Sequence, residues 1–374
     1  MRIGLDAKRA FLNNSGLGSY SRNLISALCS NFPEYEFILY TVRTNPALFS
    51  PSFPNVRVRT PETLMQRKLH PAWRSYRISK LLVGDGIDIF HGLSHELPFR
   101  FPAGKVKSVV TIHDLIFLRL PGLYTAFDRT IYKRKTRYAC QKADRIIAIS
   151  QKTADDIVEF FGTDRSKIEV IYQGCHPEFY RPLLQEEKAA LRAKYNLPAS
   201  YILYVGTIEK RKNLLNLVRA LHEGMIDLPL VVIGRKTAYA AEVLQFLEKH
   251  RSMRVFFHDS IANTDLPGFY QLADIFVYPS IYEGFGIPIL EALASRIPVV
   301  TSQGGCFSEA GGPSTLYVDP MNAREIAAAI NRVTRDPDLR KKMIEAGFQH
   351  ASGFRQEEVA GMVMNIYRKV LQND

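Results

Sequence analysis

Apolar runs of three to five residues, rich in β-branched and aromatic side chains, recur along the chain with longer helical patterns between them. In the first half they lie at residues 3–5, 37–41, 56–58, 87–90, 109–112, 146–149 and 170–172. Several are apolar throughout, the pattern of parallel strands buried on both faces rather than wet on one. Helical spacing fills intervals such as 20–28 and 153–161, the latter opened by Ser150 or Thr153 as a capping residue. Strand alternating with helix predicts a doubly wound α/β domain.

The alternation pauses at 176–182, resumes with a helix over 186–195, and returns to a strand over 201–205. A second series of strands follows at 230–233, 255–257, 275–278, 298–301 and 315–318, with helices near 214–221, 240–250, 266–272, 288–294 and 323–334. The last segment, 356–371, places Val359, Met362, Val363, Ile366, Tyr367 and Val370 at helical spacing, so it has a face to bury. The expected organisation is a first Rossmann-like domain over 1–182, a second over 183–355, and a final helix within 356–374 packing back on the first. At 374 residues the chain exceeds the roughly 250–300 at which one core stops growing, which also asks for two domains.

Composition narrows the class. With 46% hydrophobic and 23% charged residues the chain is neither disordered nor fibrous. Its longest apolar stretches, 228–234 and 275–277, are strand-sized, well short of the roughly 18–20 residues of a membrane helix. The first residues carry no secretory pattern. Four cysteines, Cys29, Cys140, Cys175 and Cys306, stand without a C-x-x-C pair, which excludes a zinc knuckle and a disulfide framework. A reduced, cytoplasmic protein is expected. The net charge of +12 is lopsided: residues 1–180 hold 26 Lys and Arg against 16 Asp and Glu, the remainder 23 against 21. Basic stretches such as Lys133-Arg134-Lys135-Thr136-Arg137 and 67–80 are read either as solvated helix faces or as a docking surface for an anionic membrane. Nucleic acid is not an expected partner.

Doubly wound sheets bind ligands beyond the carboxyl ends of their strands, so the residues after each strand carry the chemistry. After 275–278 comes Glu283-Gly284-Phe285-Gly286-Ile287-Pro288-Ile289-Leu290-Glu291. Two glycines allow close backbone approach, Pro288 suits a first helical turn, and the amides there attract a phosphate. Glu291 is placed in that first turn, with the two glutamates on opposite sides of the anion site. After 201–205 the loop Gly206-Thr207-Ile208-Glu209-Lys210-Arg211-Lys212 sets cations where a diphosphate would be neutralised. His113, after 109–112, offers a ring nitrogen at a strand end, although a lone His there is commonly satisfied in the core. Asp114 beside it reads as an orienting or capping residue. Gly16 and Gly18, after the first strand, open a helix but lack the third glycine and the later acid of a dinucleotide fingerprint.

The run E-G-F-G-x-P-x-x-E at Glu283 to Glu291 resembles, without a mismatch, the signature of the retaining glycosyltransferases of family four, which have the GT-B fold. That resemblance implies two Rossmann-like domains facing each other across a cleft. It places Glu283 at the transferred sugar and Glu291 on the ribose hydroxyls. His113 would lie on donor-sugar hydroxyls, Lys212 on the diphosphate, and Gly16 and Gly18 near phosphate or acceptor. Glu283, His113 and Lys212 are the expected catalytic set. Gly284, Phe285, Gly286 and Ile287 line the donor, and Ile261, after Ser260, falls where the family's backbone reads the base. Many members carry an Arg directly after the loop glycine; here that residue is Thr207, and Arg211 is the candidate replacement. The linker around 170–182 also resembles the family's but departs from it at Gln173 and His176.

The sequence has no D-x-D at a strand end, and His91-Gly92-Leu93-Ser94-His95 lacks a third metal ligand and reads as a cleft loop. The expected enzyme is therefore a retaining, metal-independent hexosyltransferase with no cofactor beyond its nucleotide-sugar donor. A GDP-mannose donor is favoured by resemblance, with UDP-hexoses and UDP-N-acetylhexosamines also admitted. The acceptor would be a glycan or lipid-linked glycan of a bacterial surface polysaccharide, and the location the cytoplasm or the inner membrane face. A nucleotide-sugar epimerase of the same architecture and a non-catalytic sugar-binding protein are the alternatives.

Overall fold

In the computed structural model of the protein, residues 1–63, 73–259 and 261–372 are described; Ser260 and the part of the basic stretch before Trp73 lie outside them. The chain divides into two compact units, Met1–Gly174 with Gln356–Asp374, and Cys175–Arg355. Among the described residues no helix is long and apolar enough to cross a membrane.

Among its described residues the first unit holds seven parallel strands: β1 (Arg2–Asp6), β2 (Glu36–Tyr40), β3 (Val56–Arg59), β4 (Ile89–Gly92), β5 (Lys107–Ile112), β6 (Arg145–Ala148) and β7 (Ile168–Val170), in the order β3-β2-β1-β4-β5-β6-β7. Alternation along β2 sends Phe37 and Leu39 to one face and Ile38 and Tyr40 to the other. The first face is covered by helix Gly16–Asn31 through Leu24, Ile25 and Leu28, and by helix Gln356–Gln372 through Val359, Val363 and Tyr367. The second face packs against Ile78 and Leu82 of helix Ile78–Gly84 and Ala139 and Cys140 of helix Ala126–Lys142. Cover on both faces is why the strand runs are apolar throughout. Burying one such Val or Ile is worth about 1.5–3 kcal/mol.

The second unit repeats the scheme with six parallel strands: β8 (Ile202–Val205), β9 (Leu230–Ile233), β10 (Val255–His258), β11 (Ile275–Tyr278), β12 (Val299–Ser302) and β13 (Leu316–Val318), in the order β10-β9-β8-β11-β12-β13. In both units the order turns back beside the first strand, between β1 and β4 and between β8 and β11. Those two reversals make the crevices at which doubly wound sheets bind ligands.

Four expectations shift. β4 starts and ends two residues later than the 87–90 run, so His91 is a strand residue rather than part of a loop. Its ring is fully buried, with Nδ1 2.6 Å from the Tyr367 hydroxyl and Nε2 2.8 Å from Thr111 Oγ1. β7 pairs Ile168, Glu169 and Val170 with β6, two residues before the 170–172 run, because Glu169 interrupts the apolar pattern. In the final helix Met362 faces solvent and Met364 takes the buried place. Residues 175–182, placed by the sequence with the first domain, bond within the second unit: Cys175 N–H donates to Phe354 O at 2.8 Å and the Tyr180 hydroxyl to Ala351 O at 2.7 Å.

The Tyr367 hydroxyl therefore ties the last helix to the centre of the first sheet. Replacing it, Tyr367→Phe, strands a buried imidazole nitrogen and is expected to cost about 1–3 kcal/mol in urea unfolding. A change below about 0.5 kcal/mol would show that the bond contributes nothing net.

Candidate functional site

The strand reversal of the second unit brings together the loops that follow β8 and β11. A short 3-10 turn, Lys210–Lys212, ends on Asn213, which adopts a left-handed backbone (φ 59°). Asn213 Nδ2 then donates to Pro279 O at 3.1 Å and Pro320 O at 2.7 Å, pinning the first loop to the second. Ile281 N–H donates to Arg211 O at 2.8 Å, and the Tyr204 hydroxyl to Lys212 O at 3.2 Å. The lacing fixes the backbone that carries the two cations.

Between those loops sits Glu283. Its Oε1 lies 2.7 Å from Lys212 Nζ and accepts from the Ser280 hydroxyl at 2.7 Å and the Tyr278 hydroxyl at 2.8 Å. Its Oε2 lies 2.6 Å from Arg211 Nη1. Arg211 also reaches Tyr282 O and, through Nη2, Glu209 Oε1 at 2.6 Å. The Lys212 ammonium donates to the Tyr278 hydroxyl and lies over that ring. Burial by itself would raise the Glu283 carboxyl; Lys212 and Arg211 outweigh it and hold the group at about 2. The same burial pulls the Lys212 ammonium below its ordinary value, against the attraction of Glu283. For Arg211 the sum goes the other way, since burial lowers it but Glu283 raises it further. Two cations thus converge on one carboxylate, an arrangement that can pass to a more highly charged anion.

Helix Ile287–Ala294 starts at this point, capped by Gly286 at φ 108°, a backbone that a side chain rarely adopts, with Pro288 in its first turn. Phe285 is buried, 6.0 Å ring to ring from Phe354. Glu291 is not in the first turn: it lies one turn further in, where it is enclosed and its Oε2 accepts from the Tyr270 hydroxyl at 2.8 Å. The eight-residue spacing of the two glutamates hides this, because the helix begins four residues before Glu291. Desolvation pushes the Glu291 carboxyl up to about 7, against the pull of Tyr270 and Lys212. Gly284 is buried and Ile287 half-buried beside the cap. Ile261 is half-buried, three residues beyond the end of β10.

In the first unit, His113 follows β5 and is 3% exposed. Its Nε2 lies 2.9 Å from Leu93 O, so that nitrogen carries the hydrogen, and its Nδ1 accepts from Gln173 Nε2 at 3.1 Å. Burial and the neighbouring His95 hold the imidazole at about 3, hence neutral. Asp114 accepts from Ile116 N–H at 3.0 Å, a capping bond at the start of helix Ile116–Arg119. Gly16 and Gly18 open helix Gly16–Asn31 but differ in kind. A side chain on Gly16 would meet open space, whereas one on Gly18 would stand 1.8 Å from Asn13 O. Gly18 is therefore required for close packing of helix on loop.

The structure thus gathers Arg211, Lys212, Glu283, Gly284, Phe285, Gly286, Ile287 and Glu291 around one strand reversal, while His113, Gly16 and Gly18 belong to the other unit. Sequence reading missed Tyr278, Ser280, Asn213, Tyr270 and Gln173. A hydroxyl at the very end of an apolar strand was the available signal for Tyr278, and the change from the family linker pattern was the signal for Gln173.

Residues 14–179 match the family model of Glycosyltransferase Family 4, and residues 187–350 that of Glycosyl transferases group 1. The chain is 30% identical over 287 residues to O-antigen chain mannosyltransferase B of Escherichia coli, across 75% of this chain and 74% of that protein. Among solved structures, a sucrose-phosphate synthase from Thermosynechococcus elongatus superposes with a TM-score of 0.81 at 21% identity over the whole of both chains. Anabaena HepE in complex with UDP and glucose does so with a TM-score of 0.77 at 17% identity, over 98% of this chain and 99% of that one.

The two glutamates of the signature titrate with opposite sign. Glu283, held down at about 2, contributes stability above its ordinary 4.5 that is lost as pH falls toward 2. Glu291, raised from 4.5 to about 7, keeps a proton in the folded chain that the unfolded chain has lost, so its contribution falls as pH rises through that window. Glu291→Gln is expected to match the wild type at pH 5 and to exceed it at pH 8 by on the order of 1–3 kcal/mol in urea unfolding. Equal stability of the two proteins at both pH values would contradict the raised carboxyl.

Proposed function

We propose, from the premise that the chain belongs to the Glycosyl transferases group 1 family, that it transfers mannose from a nucleotide sugar, with retention of configuration, to a glycan of a surface polysaccharide. The observation that carries this reading is the double ion pair of Lys212 and Arg211 on Glu283 at the crevice between β8 and β11. A nucleoside diphosphate is the anion whose charge suits two converging cations and the start of a helix. Lys212 then neutralises the charge that builds on the diphosphate as the bond to the sugar breaks, and Arg211 supplies the second cation in place of the arginine absent at Thr207. No metal or further cofactor is needed in this scheme, because the leaving group is met by side chains and backbone amides. The acceptor hydroxyl attacks the anomeric carbon on the face from which the diphosphate departs, and a phosphate oxygen takes its proton. Glu283, released from its cations, is left to the sugar.

Glu291 takes the ribose. A carboxyl raised to about 7 donates or accepts a hydrogen bond near neutrality, which suits a pair of hydroxyls. Ile261 borders the base, and Gly284, Phe285, Gly286 and Ile287 line the phosphate. In the first unit, the edge marked by His113, Gly16 and Gly18 receives sugar hydroxyls. GDP-mannose is the preferred donor, on the strength of the mannosyltransferase relative. Family membership favours transfer over the epimerase and binding-protein alternatives.

A lipid-linked acceptor at the inner membrane face fits the basic first unit. Helix Ala126–Lys142 leaves Lys133, Arg134 and Arg137 exposed, together with Phe127 at 74% exposure. Cations around a protruding aromatic suit an anionic lipid surface.

Two measurements check these readings. In a thermal-shift series of nucleoside diphosphates and their sugars, one base should raise the melting temperature. Glu291→Ala should weaken that nucleotide about tenfold or more, and Glu283→Ala should slow transfer while the nucleotide, freed of a competing carboxylate, binds no more weakly. Equal affinity losses with normal turnover in both would refute the roles. The protein should also sediment with phosphatidylglycerol vesicles but not phosphatidylcholine vesicles, and release as salt rises. Sedimentation indifferent to lipid charge would reject the docking.

A further inference from the structure

Of the residues implied to touch sugar, His113 has the least to offer one directly. Its Nε2–H is spent on Leu93 O at 2.9 Å, and its Nδ1 lone pair on the Gln173 amide at 3.1 Å. The ring is 3% exposed, packed edge-on against Tyr20 at 4.6 Å between centroids and beside His95 at 5.4 Å. The Thr153 hydroxyl donates to His113 O and holds the backbone as well. Gln173 is the more exposed partner, standing after β7 at the carboxyl edge of the sheet.

The hydrogen-bond inventory of the pair is one-sided. A neutral imidazole with its hydrogen on Nε2 can only accept at Nδ1, so the nitrogen of the Gln173 amide must face it. One of the two amide N–H groups is used there. Among the described residues this is the one hydrogen bond recorded for the amide. The second N–H and the carbonyl oxygen lie side by side on a group whose orientation His113 fixes. The backbone behind it is fixed too: a Cβ on Gly174 would stand 3.0 Å from Gln356 Cα, so the chain presses on the start of the last helix. An anchored amide has less ordering to lose on binding than a free one.

We infer that the Gln173 carboxamide is itself a sugar contact, anchored by the His113 ring, with its free N–H and its carbonyl oxygen pairing to two adjacent hydroxyls of a pyranose. The inference rests on the reading of the chain as a sugar-transferring enzyme, and it makes His113 a positioning residue for Gln173. Both partners are uncharged, which selects neutral hydroxyls over phosphate or carboxylate. It also gives a use to the departure of Gln173 from the family linker, since the amide at this position meets His113 Nδ1 at 3.1 Å. The hydroxyls could belong to a donor sugar or to an acceptor glycan, and the test separates the two.

Binding is measured by calorimetry in two arms. The donor arm uses GDP-mannose, UDP-glucose and their monodeoxy analogues, and the acceptor arm methyl α-D-mannopyranoside and its monodeoxy analogues. In one arm the wild type should disfavour removal of either of two neighbouring hydroxyls by about tenfold. Gln173→Met, which keeps length and removes hydrogen bonding, should bring that ratio near unity at the same two positions, with the affinity for GDP or UDP alone unchanged. His113→Phe should do the same, and the double variant should be no worse than either single one. The arm that responds identifies the source. Wild-type discrimination retained by Gln173→Met in both arms, or additive losses in the double variant, would overturn the contact. Failure of GDP and UDP to bind the wild type would instead sink the nucleotide-sugar reading, while the mannoside arm still decides on Gln173.

Discussion

One buried carboxylate, Glu283, is shared by two cations at the reversal of the second sheet, and most of what surrounds it keeps that arrangement in place. Taking a carboxylate, an ammonium and a guanidinium out of water costs several kcal/mol per ion unless geometry and added hydrogen bonds offset it. Here the hydroxyls of Tyr278 and Ser280 fill the remaining lone pairs of Oε1, and Asn213 locks the loop that presents Lys212 and Arg211. The site is charged, largely shielded from water and laced into one alignment. Such an arrangement binds an anion by exchange: the cations need not be desolvated again, only handed over.

In the first unit the buried histidines are held by neutral hydrogen-bonding groups. From the last helix a chain of contacts runs through Tyr367 and His91 to Thr111, whose Oγ1 lies 3.2 Å from the Tyr20 hydroxyl. Tyr20 in turn packs on His113. The imidazoles in this chain are kept neutral by burial, His91 and His113 both at about 3. The second unit thus gathers its cations on Glu283, while in the first the neutral imidazoles stand beside a separate ion-paired cluster in which Arg74 joins Asp6 to Glu96.

Much of this was legible in the residues. The strands and the long helices with a wide apolar stripe, such as Leu214–Glu223 and Ala323–Arg335, follow from periodicity alone. Helices Ala126–Lys142 and Pro337–Ser352 did not stand out, because only three residues of each are buried and the rest of their surface is polar. At the site, the signature and the basic loop were visible as sequence. What periodicity could not give was which partner each charge would choose: Glu283 takes both cations, whereas Glu291, eight residues on, is enclosed with one tyrosine. His91 read as a loop residue because a polar ring breaks an apolar run, yet in a sheet buried on both faces it is satisfied by two hydroxyls contributed from distant segments.

The claim that a diphosphate takes over the cations of Glu283 is tested most directly by titrating GDP and UDP calorimetrically into Glu283→Gln and the wild type. Without the competing carboxylate, Lys212 loses its carboxylate partner and Arg211 keeps only Glu209, so the variant should be less stable yet bind the nucleoside diphosphate about tenfold more tightly. Affinity that is unchanged or weaker in the variant would contradict the exchange and the site built on it.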